Sequence, residues 1–272
     1  MNKLGIIAGE GKFPLQIAGE AKSKGVELFV ICAKGNANEE DFKPYASKTI
    51  TLKLGQLSKA LKFFKENDVK QAVMAGRVQH FNIFNLIPDF RTAKVLASLR
   101  DMRAKSILEA AINEFKKEGI EFVSSALFLE KCIPSKSVLT KRKPTEEEEK
   151  NIELGLKVSK TLADLDVGLT SVICDKAVIA VEGMEGTDEC ILRAGKIVAQ
   201  NPGKNKFLVV VKVARPKQDN RYDLPIIGKG TIKSMIAAKA KVLAIEADKT
   251  IVLDIEEVCA LADKNDISIV AI

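Results

Sequence analysis

The order of apolar and polar positions along the chain is that of an α/β protein. Residues 4–8 and 26–32 are apolar runs of strand length, and residues 15–24 between them carry apolar positions at helical spacing. The pattern continues with strands at 49–54, 71–74 and 120–125 and helices at 59–66, 93–99 and 104–118. Strands that alternate with helices predict a Rossmann-like parallel sheet.

The second half of the chain also has an α/β pattern, and it follows a stretch with the composition of a linker. Residues 134–144 contain two prolines and the basic cluster at 141–143. Beyond them we predict helices at 145–162, 232–241 and 255–264 and strands at 170–174, 177–181, 207–213, 242–246, 250–254 and 267–271. The expected organisation is an N-terminal Rossmann-like domain at 1–133, a linker at 134–144, and a C-terminal α/β domain with a mixed sheet at 145–272.

Three polar residues occupy the positions of helix N-caps. Ser58 precedes the helix predicted at 59–66, and Thr231 precedes the helix predicted at 232–241. Thr145 is followed three residues later by Glu148, which is the spacing of a capping box. Each of these residues is expected to mark the start of its helix.

Composition narrows the class of protein. Apolar residues make up 46% and charged residues 29%, which is typical of a soluble globular protein, and no apolar run reaches the length of a membrane span. The first apolar run is read as a strand and not as a signal peptide. The five cysteines form no C-x-x-C pair, which predicts reduced thiols in a cytoplasmic protein. With His80 as the single histidine, the sequence argues against a zinc site or a Ser-His triad.

The formal charge of +7 favours an anionic partner. Nucleic acid, an anionic membrane surface and phosphorylated ligands would all fit this charge. The chain has no nucleic-acid-binding motif and no basic stretch interleaved with aromatic residues, so we expect no nucleic acid partner.

Glycines follow two of the strands predicted in the first domain. Gly9, Gly11 and Lys12 come after the first strand and before a helix, which is an arrangement that can bind phosphate. Gly76 and Arg77 follow the strand at 71–74 in the same way. The first loop lacks the dinucleotide fingerprint, because a proline stands at the third glycine and a lysine stands where an acid would hold ribose. Tight turns without a ligand remain the alternative.

Two polar loops follow strands of the second domain. Glu185, Thr187 and Asp188 lie between the strand at 177–181 and a helix, where Thr and Asp are also ordinary capping residues. The stretch from Lys212 to Thr231 follows a buried strand, and it is either a site for a metal and an anion or a solvated loop.

The side chains in these two loops have the chemistry of a phosphate-handling site. Oxygen ligands for Mg²⁺ are offered by Glu185, Asp188, Asp219 and Asp223. Cations that suit phosphate are Arg193, Lys212, Arg215 and Arg221. Together these groups would suit phosphoryl transfer or pyrophosphate hydrolysis. Residue types and spacing alone predict only a phosphate-handling, metal-dependent α/β protein.

Five segments of the chain form a recognisable series, and they are 5–14, Met74-Ala-Gly-Arg77, Pro88-Asp89, 181–188 with Arg193, and 217–225 with Gly228 and Thr231. With these segments in the same order, the chain resembles the LpxI-type UDP-2,3-diacylglucosamine pyrophosphatases of lipid A biosynthesis. The most specific are Glu-Gly-Thr-Asp at 185–188 and Gln-Asp-x-Arg-x-Asp-x-Pro at 218–225. One departure is Gly168-Leu169, where the family commonly has Gly-Gln.

The resemblance implies a two-domain enzyme with its active site in the cleft between the domains. It implies Mg²⁺-dependent hydrolysis of UDP-2,3-diacylglucosamine, in which water attacks the α-phosphorus and releases UMP and 2,3-diacylglucosamine 1-phosphate. The essential aspartate of the family falls on Asp223, as metal ligand or as orienter of the water. The implied metal set is Asp223, Asp219, Asp188 and Glu185. The implied substrate-binding set is Gly9, Gly11, Lys12, Gly76, Arg77, Thr187, Arg193, Lys212, Gln218 and Arg221.

The lipid substrate also suggests a place for the apolar run at 81–87. This run would contact acyl chains or the inner face of the inner membrane, or it would pack in the domain core. We expect a cytoplasmic protein with peripheral membrane contact, and the choice between a monomer and a homodimer stays open. The alternative function is a nucleotide-sugar or dinucleotide binding protein without hydrolysis.

Overall fold

The computed structural model describes residues 2–77, 88–102, 104–200, 207–216 and 224–272, without the side chains of residues 104 and 105. The chain forms two compact units; the first extends to Leu129 and the second begins at Glu130. The predicted position of the active site between the two domains stays a prediction.

The first unit contains a parallel sheet of five strands in the order β3-β2-β1-β4-β5. Its strands are β1 (Lys3–Ala8), β2 (Glu27–Ala33), β3 (Lys48–Leu52), β4 (Gln71–Ala75) and β5 (Glu121–Phe122). Its helices are α1 (Phe13–Ser23), α2 (Glu39–Phe42), α3 (Leu57–Glu66), α4 (Phe90–Ala97) and α5 (Ala104–Lys117). The predicted Rossmann-like parallel sheet is confirmed.

Close packing of α3 against β1 explains the glycine in the middle of the first strand. A Cβ atom on Gly5 would lie 2.7 Å from the Cζ atom of Phe64, which is fully buried. Phe64 in turn packs against Phe115, and Phe115 against Phe122, at ring-centroid distances of 6.0 and 5.2 Å. These rings join the sheet and two helices into one apolar core.

The prediction that Ser58 caps α3 is wrong, because the helix already begins at Leu57. The Ser58 amide instead donates to Asp89 Oδ2 at 2.7 Å, while Asp89 Oδ1 accepts from the Thr92 amide at 2.8 Å. One carboxylate therefore satisfies the first turns of both α3 and α4. These hydrogen bonds lower the pKa of Asp89 despite its burial, which acts in the opposite direction.

The second unit contains a mixed sheet in the order β6-β13-β11-β9-β7-β8 and a two-stranded sheet, β10-β12. Its strands are β6 (Ser137–Val138), β7 (Thr170–Cys174), β8 (Ala177–Val181), β9 (Leu208–Lys212), β10 (Ile226–Ile227), β11 (Ala240–Ile245), β12 (Ile251–Val252) and β13 (Ser268–Ala271). Its helices are α6 (Glu146–Asp164), α7 (Thr187–Ala199), α8 (Lys229–Ala238) and α9 (Ile255–Lys264). The predicted mixed sheet is confirmed.

Helix starts in the second unit agree with one predicted cap and contradict another. Thr145 and Glu148 form the capping box at the start of α6. Thr231 does not cap α8, because the helix begins at Lys229 with Gly228 at the cap position, and Thr231 is buried within its first turn.

Residues 134–144, which the sequence predicts as a linker, are hydrogen-bonded to the second unit. They contain β6, which pairs antiparallel with β13. The Pro134 carbonyl accepts from the Asp248 amide, and the Lys141 amide donates to Asp263 Oδ1. Both ends of the stretch are thus held by elements that come much later in the chain.

The five cysteines are free thiols, and four of them are buried. Burial raises the pKa of Cys32 and of Cys190 to about 12. Among the helices in the described ranges, none is long and apolar enough to cross a membrane.

Candidate functional site

Two glycine loops of the first unit cross at the carboxyl ends of β1 and β4. The Gly9 amide donates to the Ala75 carbonyl at 2.7 Å, and Glu10 and Arg77 form an antiparallel bridge. A Cβ on Gly9 would lie 2.7 Å from the Arg77 carbonyl oxygen, and one on Gly76 would lie 2.6 Å from the Gly9 carbonyl carbon. Gly76 also has φ +94°, so both glycines are required by the crossing of the backbones.

The predicted phosphate residues of the first unit lie together at this edge of the sheet. Gly11 and Lys12 are exposed at the start of α1, and Gly76 and Arg77 are exposed after β4. Next to them a cavity of about 350 Å³ is lined by Gly9, Gly11 and residues that follow β2. The structure therefore brings the first-domain candidates to the carboxyl edge of one parallel sheet, where α/β proteins bind ligands.

In the second unit a hydrogen-bonded chain links the ends of β8 and β9 to the start of α7. Lys212 Nζ donates to Thr187 Oγ1 at 2.6 Å, and the Thr187 hydroxyl donates to Glu182 Oε1 at 3.0 Å. Glu182 Oε2 accepts from the Leu169 amide at 3.2 Å, and Thr170 Oγ1 lies 3.4 Å from Thr187 Oγ1. The chain orients a hydroxyl at the N-terminus of a 13-residue helix.

Lys212 is the donor at one end of this series of hydrogen bonds, and it is buried, with only 6% of the residue exposed. Burial lowers the pKa of its ammonium group, and the nearby carboxylates of Glu182 and Asp188 act in the opposite direction. A buried charge is weakly screened, so it interacts strongly with charges around it. The Lys212 ammonium and the N-terminus of α7 together balance the negative charge of these two carboxylates at this end of the sheet.

Two other residues predicted for the site form an ion pair with each other. Arg193 donates to Glu185 Oε1 at 2.6 Å and to the Val181 carbonyl at 2.8 Å. The hydrogen bond from Arg193 lowers the pKa of Glu185, which also accepts from the Gly183 amide. Glu185, a predicted metal ligand, and Arg193, a predicted phosphate ligand, thus form an ion pair in this structure.

Asp188 is exposed in the first turn of α7. A Cβ on Gly230 would lie 3.3 Å from Asp188 Oδ2, so the carboxylate lies beside the first turn of α8. Side-chain oxygens of Glu182, Thr187 and Asp188 are of the hard type that Mg²⁺ prefers. Within the described ranges, however, no three acidic, histidine or cysteine side chains form a metal-binding group.

The end of β9 is held by ion pairs that the sequence did not reveal. Glu246 Oε2 accepts from the Ala214 amide at 2.9 Å and pairs with Lys160. Arg215 Nε lies 2.9 Å from Asp166 Oδ1. The predicted phosphate ligand Arg215 is therefore paired with a carboxylate. These contacts hold the residues that follow Lys212 in place.

Four of the residues predicted for the site lie outside the described residues, namely Gln218, Asp219, Arg221 and Asp223. Their predicted roles stay predictions. Sequence reasoning also missed Thr170. Glu182 was visible in the sequence as a further carboxylate near the predicted cation site, five residues before Thr187, but not as the acceptor of the Thr187 hydroxyl.

Two solved structures are similar to this one at a low level only. Pal from Bacillus thuringiensis gives a TM-score of 0.33 at 9% identity, covering 99% of this chain and 85% of that chain. A biotin carboxylase complex from Campylobacter jejuni gives a TM-score of 0.28 at 11% identity, covering 82% of this chain and 53% of that chain. Similarities this low carry no conclusion about function.

The sequence comparisons are far more specific. A curated protein of Caulobacter vibrioides named UDP-2,3-diacylglucosamine pyrophosphatase LpxI is 31% identical over 269 residues, which is 97% of this chain and 95% of that protein. The family models of the LpxI N-terminal and C-terminal domains match residues 3–132 and 135–270. Since these matches cover nearly the whole chain in both parts, the chain belongs to the LpxI family.

Proposed function

We propose that this protein hydrolyses the pyrophosphate bond of UDP-2,3-diacylglucosamine in a Mg²⁺-dependent reaction of lipid A biosynthesis. The products are UMP and 2,3-diacylglucosamine 1-phosphate. The observation that carries the proposal is the match, over 97% of the chain, to a protein named for this pyrophosphatase activity. The buried ammonium group of Lys212 beside the N-terminus of α7 supports the same reaction class, because pyrophosphate hydrolysis depends mainly on positioning and charge neutralisation.

The charge of Lys212 would stabilise the diphosphate while the ammonium group itself stays shielded from solvent. Its Nζ atom is fixed by Thr187, whose hydroxyl is fixed in turn by Glu182. A diphosphate near the N-terminus of α7 would meet this charge across an environment of low dielectric constant. The same groups would stabilise the extra negative charge that collects on the leaving phosphate as the bond breaks.

A magnesium ion would be held by carboxylate oxygens, with Asp223 as its principal ligand and Asp219 and Asp188 in support. Asp188 is exposed and suits this role, whereas Glu185 would first have to leave Arg193. When bound, the ion supplies neutralisation of the diphosphate charge. The described carboxylates alone do not form a complete site, so the two aspartates of the 217–223 segment are central to this proposal.

The proposed chemistry is a single displacement at phosphorus. A water oxygen bonds to the α-phosphorus, and the bond from that phosphorus to the bridging oxygen breaks. The bridging oxygen leaves with the sugar phosphate, and one proton of the water is lost to a base or to solvent. Asp223 would orient this water or bind the metal beside it.

Turnover in the presence and absence of metal tests the proposal. We expect the purified protein to release UMP from UDP-2,3-diacylglucosamine in Mg²⁺, and we expect EDTA to abolish the release until Mg²⁺ is added back. In ¹⁸O-labelled water the label should enter UMP, because the α-phosphorus is attacked. Label in the sugar phosphate would contradict the proposed attack. Binding of substrate without any UMP release would instead support the non-hydrolytic alternative.

The lipid substrate supports a cytoplasmic protein with peripheral contact to the inner face of the inner membrane. The apolar run at 81–87 lies outside the described residues, but Phe90, which closely follows it, is 88% exposed. An aromatic ring that exposed is suited to insertion into a bilayer surface. The net charge of +7 would favour anionic lipids.

We therefore expect Phe84→Asp and Phe90→Asp to weaken binding to anionic vesicles by about tenfold or more, since each removes a large apolar side chain. Turnover should fall on vesicle-borne substrate and change less in detergent. Phe207→Asp is the control, since Phe207 is a half-exposed ring of the second unit. Unchanged vesicle turnover in both variants would exclude this contact.

A further inference from the structure

Glu246, which directly follows β11, binds the backbone at the end of β9 with both its amide and its side chain. Its amide donates to the Lys212 carbonyl at 3.2 Å, and its side-chain Oε2 accepts from the Ala214 amide at 2.9 Å. On the opposite side of β9 the Val213 amide donates to the Leu169 carbonyl at 2.9 Å. Three consecutive buried residues at the end of β9 are therefore held by hydrogen bonds from both neighbouring strands.

Two lysines hold the Glu246 carboxylate in place. Lys160 of α6 forms an ion pair with Oε2, and its Nζ atom also donates to the Ala214 carbonyl at 3.5 Å. Lys249 donates to Oε1 at 2.6 Å. Burial disfavours the charged carboxylate, but the hydrogen bonds from the two lysines and from the Ala214 amide outweigh it and lower the pKa of Glu246. A mostly buried carboxylate with donors on both oxygens has a well-defined position.

The chain that follows β11 also holds the residues beyond the proposed catalytic aspartate. The Ile251 amide donates to the Pro225 carbonyl, and the Leu253 amide donates to the Ile227 carbonyl, each at 2.9 Å. Both hydrogen bonds belong to the pairing of β12 with β10. One continuous stretch, 246–253, thus binds the chain on both sides of the segment that contains that aspartate.

The position of the backbone at the end of β9 is important for two groups of the proposed reaction. The Lys212 side chain extends from the residue whose carbonyl Glu246 binds. The segment that carries Asp223 begins shortly after Ala214. Reacting groups must be held to within about 0.5 Å of their productive positions, and a misplacement of about 1 Å can lower a rate by about 10²-fold.

We infer that Glu246, supported by Lys160, is a positioning residue for hydrolysis of the pyrophosphate bond. It acts by fixing the backbone at residues 212–214, and thereby the Lys212 side chain and the start of the segment with Asp223. The inference rests on the proposed function for the identity of the reaction. It goes beyond that function by giving a role to two residues outside the predicted site.

Steady-state kinetics of the intact protein with UDP-2,3-diacylglucosamine in Mg²⁺ tests the inference. We expect Glu246→Ala to lower kcat by about 10²-fold and to change KM by less than about threefold, because the reacting groups are displaced. Glu246→Gln keeps an oxygen that can accept from the Ala214 amide, so its kcat should lie within about tenfold of wild type. Folded Glu246→Ala with a wild-type kcat, or Glu246→Gln no faster than Glu246→Ala, would overturn the inference.

Loss of stability alone is separated from loss of positioning by a control variant. Rates are measured per folded protein and well below each Tm. The matched control is Ser135→Ala, which removes the hydroxyl that donates to Asp248 at 2.8 Å. Asp248 lies in the same connection between β11 and β12, so this variant disturbs the connection without removing a contact to the end of β9, and its kcat should be that of the wild type. If Ser135→Ala were as slow as Glu246→Ala, the specific role of Glu246 would be refuted.

The supporting role of Lys160 is tested by combining substitutions. Lys160→Met should lower kcat by about tenfold, and adding it to Glu246→Ala should lower kcat little further, because both residues act through one contact. If the two effects multiplied in the double variant, Lys160 would act independently of Glu246, and its supporting role would be refuted.

Hydrogen exchange at single amides tests the contact without catalysis. In NMR spectra of the intact protein we expect Glu246→Ala to speed exchange of the Ala214 amide by about tenfold or more, since its acceptor is lost. Exchange of the Val213 amide should change by less than about threefold, because its bond to Leu169 remains. Unchanged exchange at Ala214 would overturn the inference.

The outcomes separate this inference from the proposed function. Faster exchange at Ala214 together with a wild-type kcat would overturn the inference and leave the proposed function standing. A wild-type protein that hydrolyses nothing would refute the proposed function, whereas faster exchange in Glu246→Ala would still support the positioning of residues 212–214 by Glu246.

Discussion

Lys212→Met is expected to lower kcat/KM for UDP-2,3-diacylglucosamine by about 10²-fold or more, which is the scale of removing one preorganised electrostatic group. Methionine approximates the length of the lysine chain, but it removes the buried charge and the donor to Thr187. The diphosphate would then meet the carboxylates of Glu182 and Asp188 without the cation that balances them. Steady-state UMP release gives the rate.

The fold of this variant is expected to survive, because burial of the ammonium group opposes its charge. Circular dichroism and a cooperative thermal transition check this. The matched control is Lys241→Met, on β11 of the same sheet, where the half-buried lysine pairs with Asp266 and the effect on turnover should be small. If the folded Lys212→Met variant had wild-type turnover, the proposed electrostatic role of Lys212 would be wrong.

Asp223→Ala is expected to reduce UMP release by about 10³-fold or more, since it removes the group proposed to hold the metal or the attacking water. Asp219→Ala should have a smaller effect, as expected for a supporting ligand. Quench-flow measurement of a single turnover would separate the chemical step from product release.

The control for Asp223→Ala is Asp164→Ala, which removes an exposed carboxylate at the end of α6 in the same unit. It should have nearly wild-type turnover. If Asp223→Ala also kept full activity in Mg²⁺, the assignment of the catalytic aspartate would be wrong. If only Asp219→Ala were inactive, the principal role would move to that residue.

Most strands and the capping box were predictable because their signals are local. Apolar runs of strand length identified β1, β2 and β9, which are buried along most of their length. The Thr145–Glu148 spacing identified the start of α6, since both partners of the capping box lie within four residues. Ser58 and Thr231 failed as caps because a polar residue before a helical pattern does not by itself fix where the helix begins.

The candidate site was only partly predictable, because a sequence shows the type of each residue but not its hydrogen-bond and ion-pair partners. Thr187 and Lys212 were identified as site residues, but their hydrogen bond joins positions 25 residues apart. The ion pair between Glu185 and Arg193 was equally hidden in the sequence. It makes both side chains less available to bind a metal or a substrate.

The sequence by itself determined the α/β class, the two successive domains and the chemical types of the site residues. These follow from periodicity and composition, which act over a few residues at a time. Only the tertiary structure decided which groups are paired, which are buried and which line a cavity. The burial of Lys212 and the crossing of Gly9 with Gly76 both depend on segments far apart in the chain. Local propensity cannot specify such contacts, because packing of the whole unit determines them.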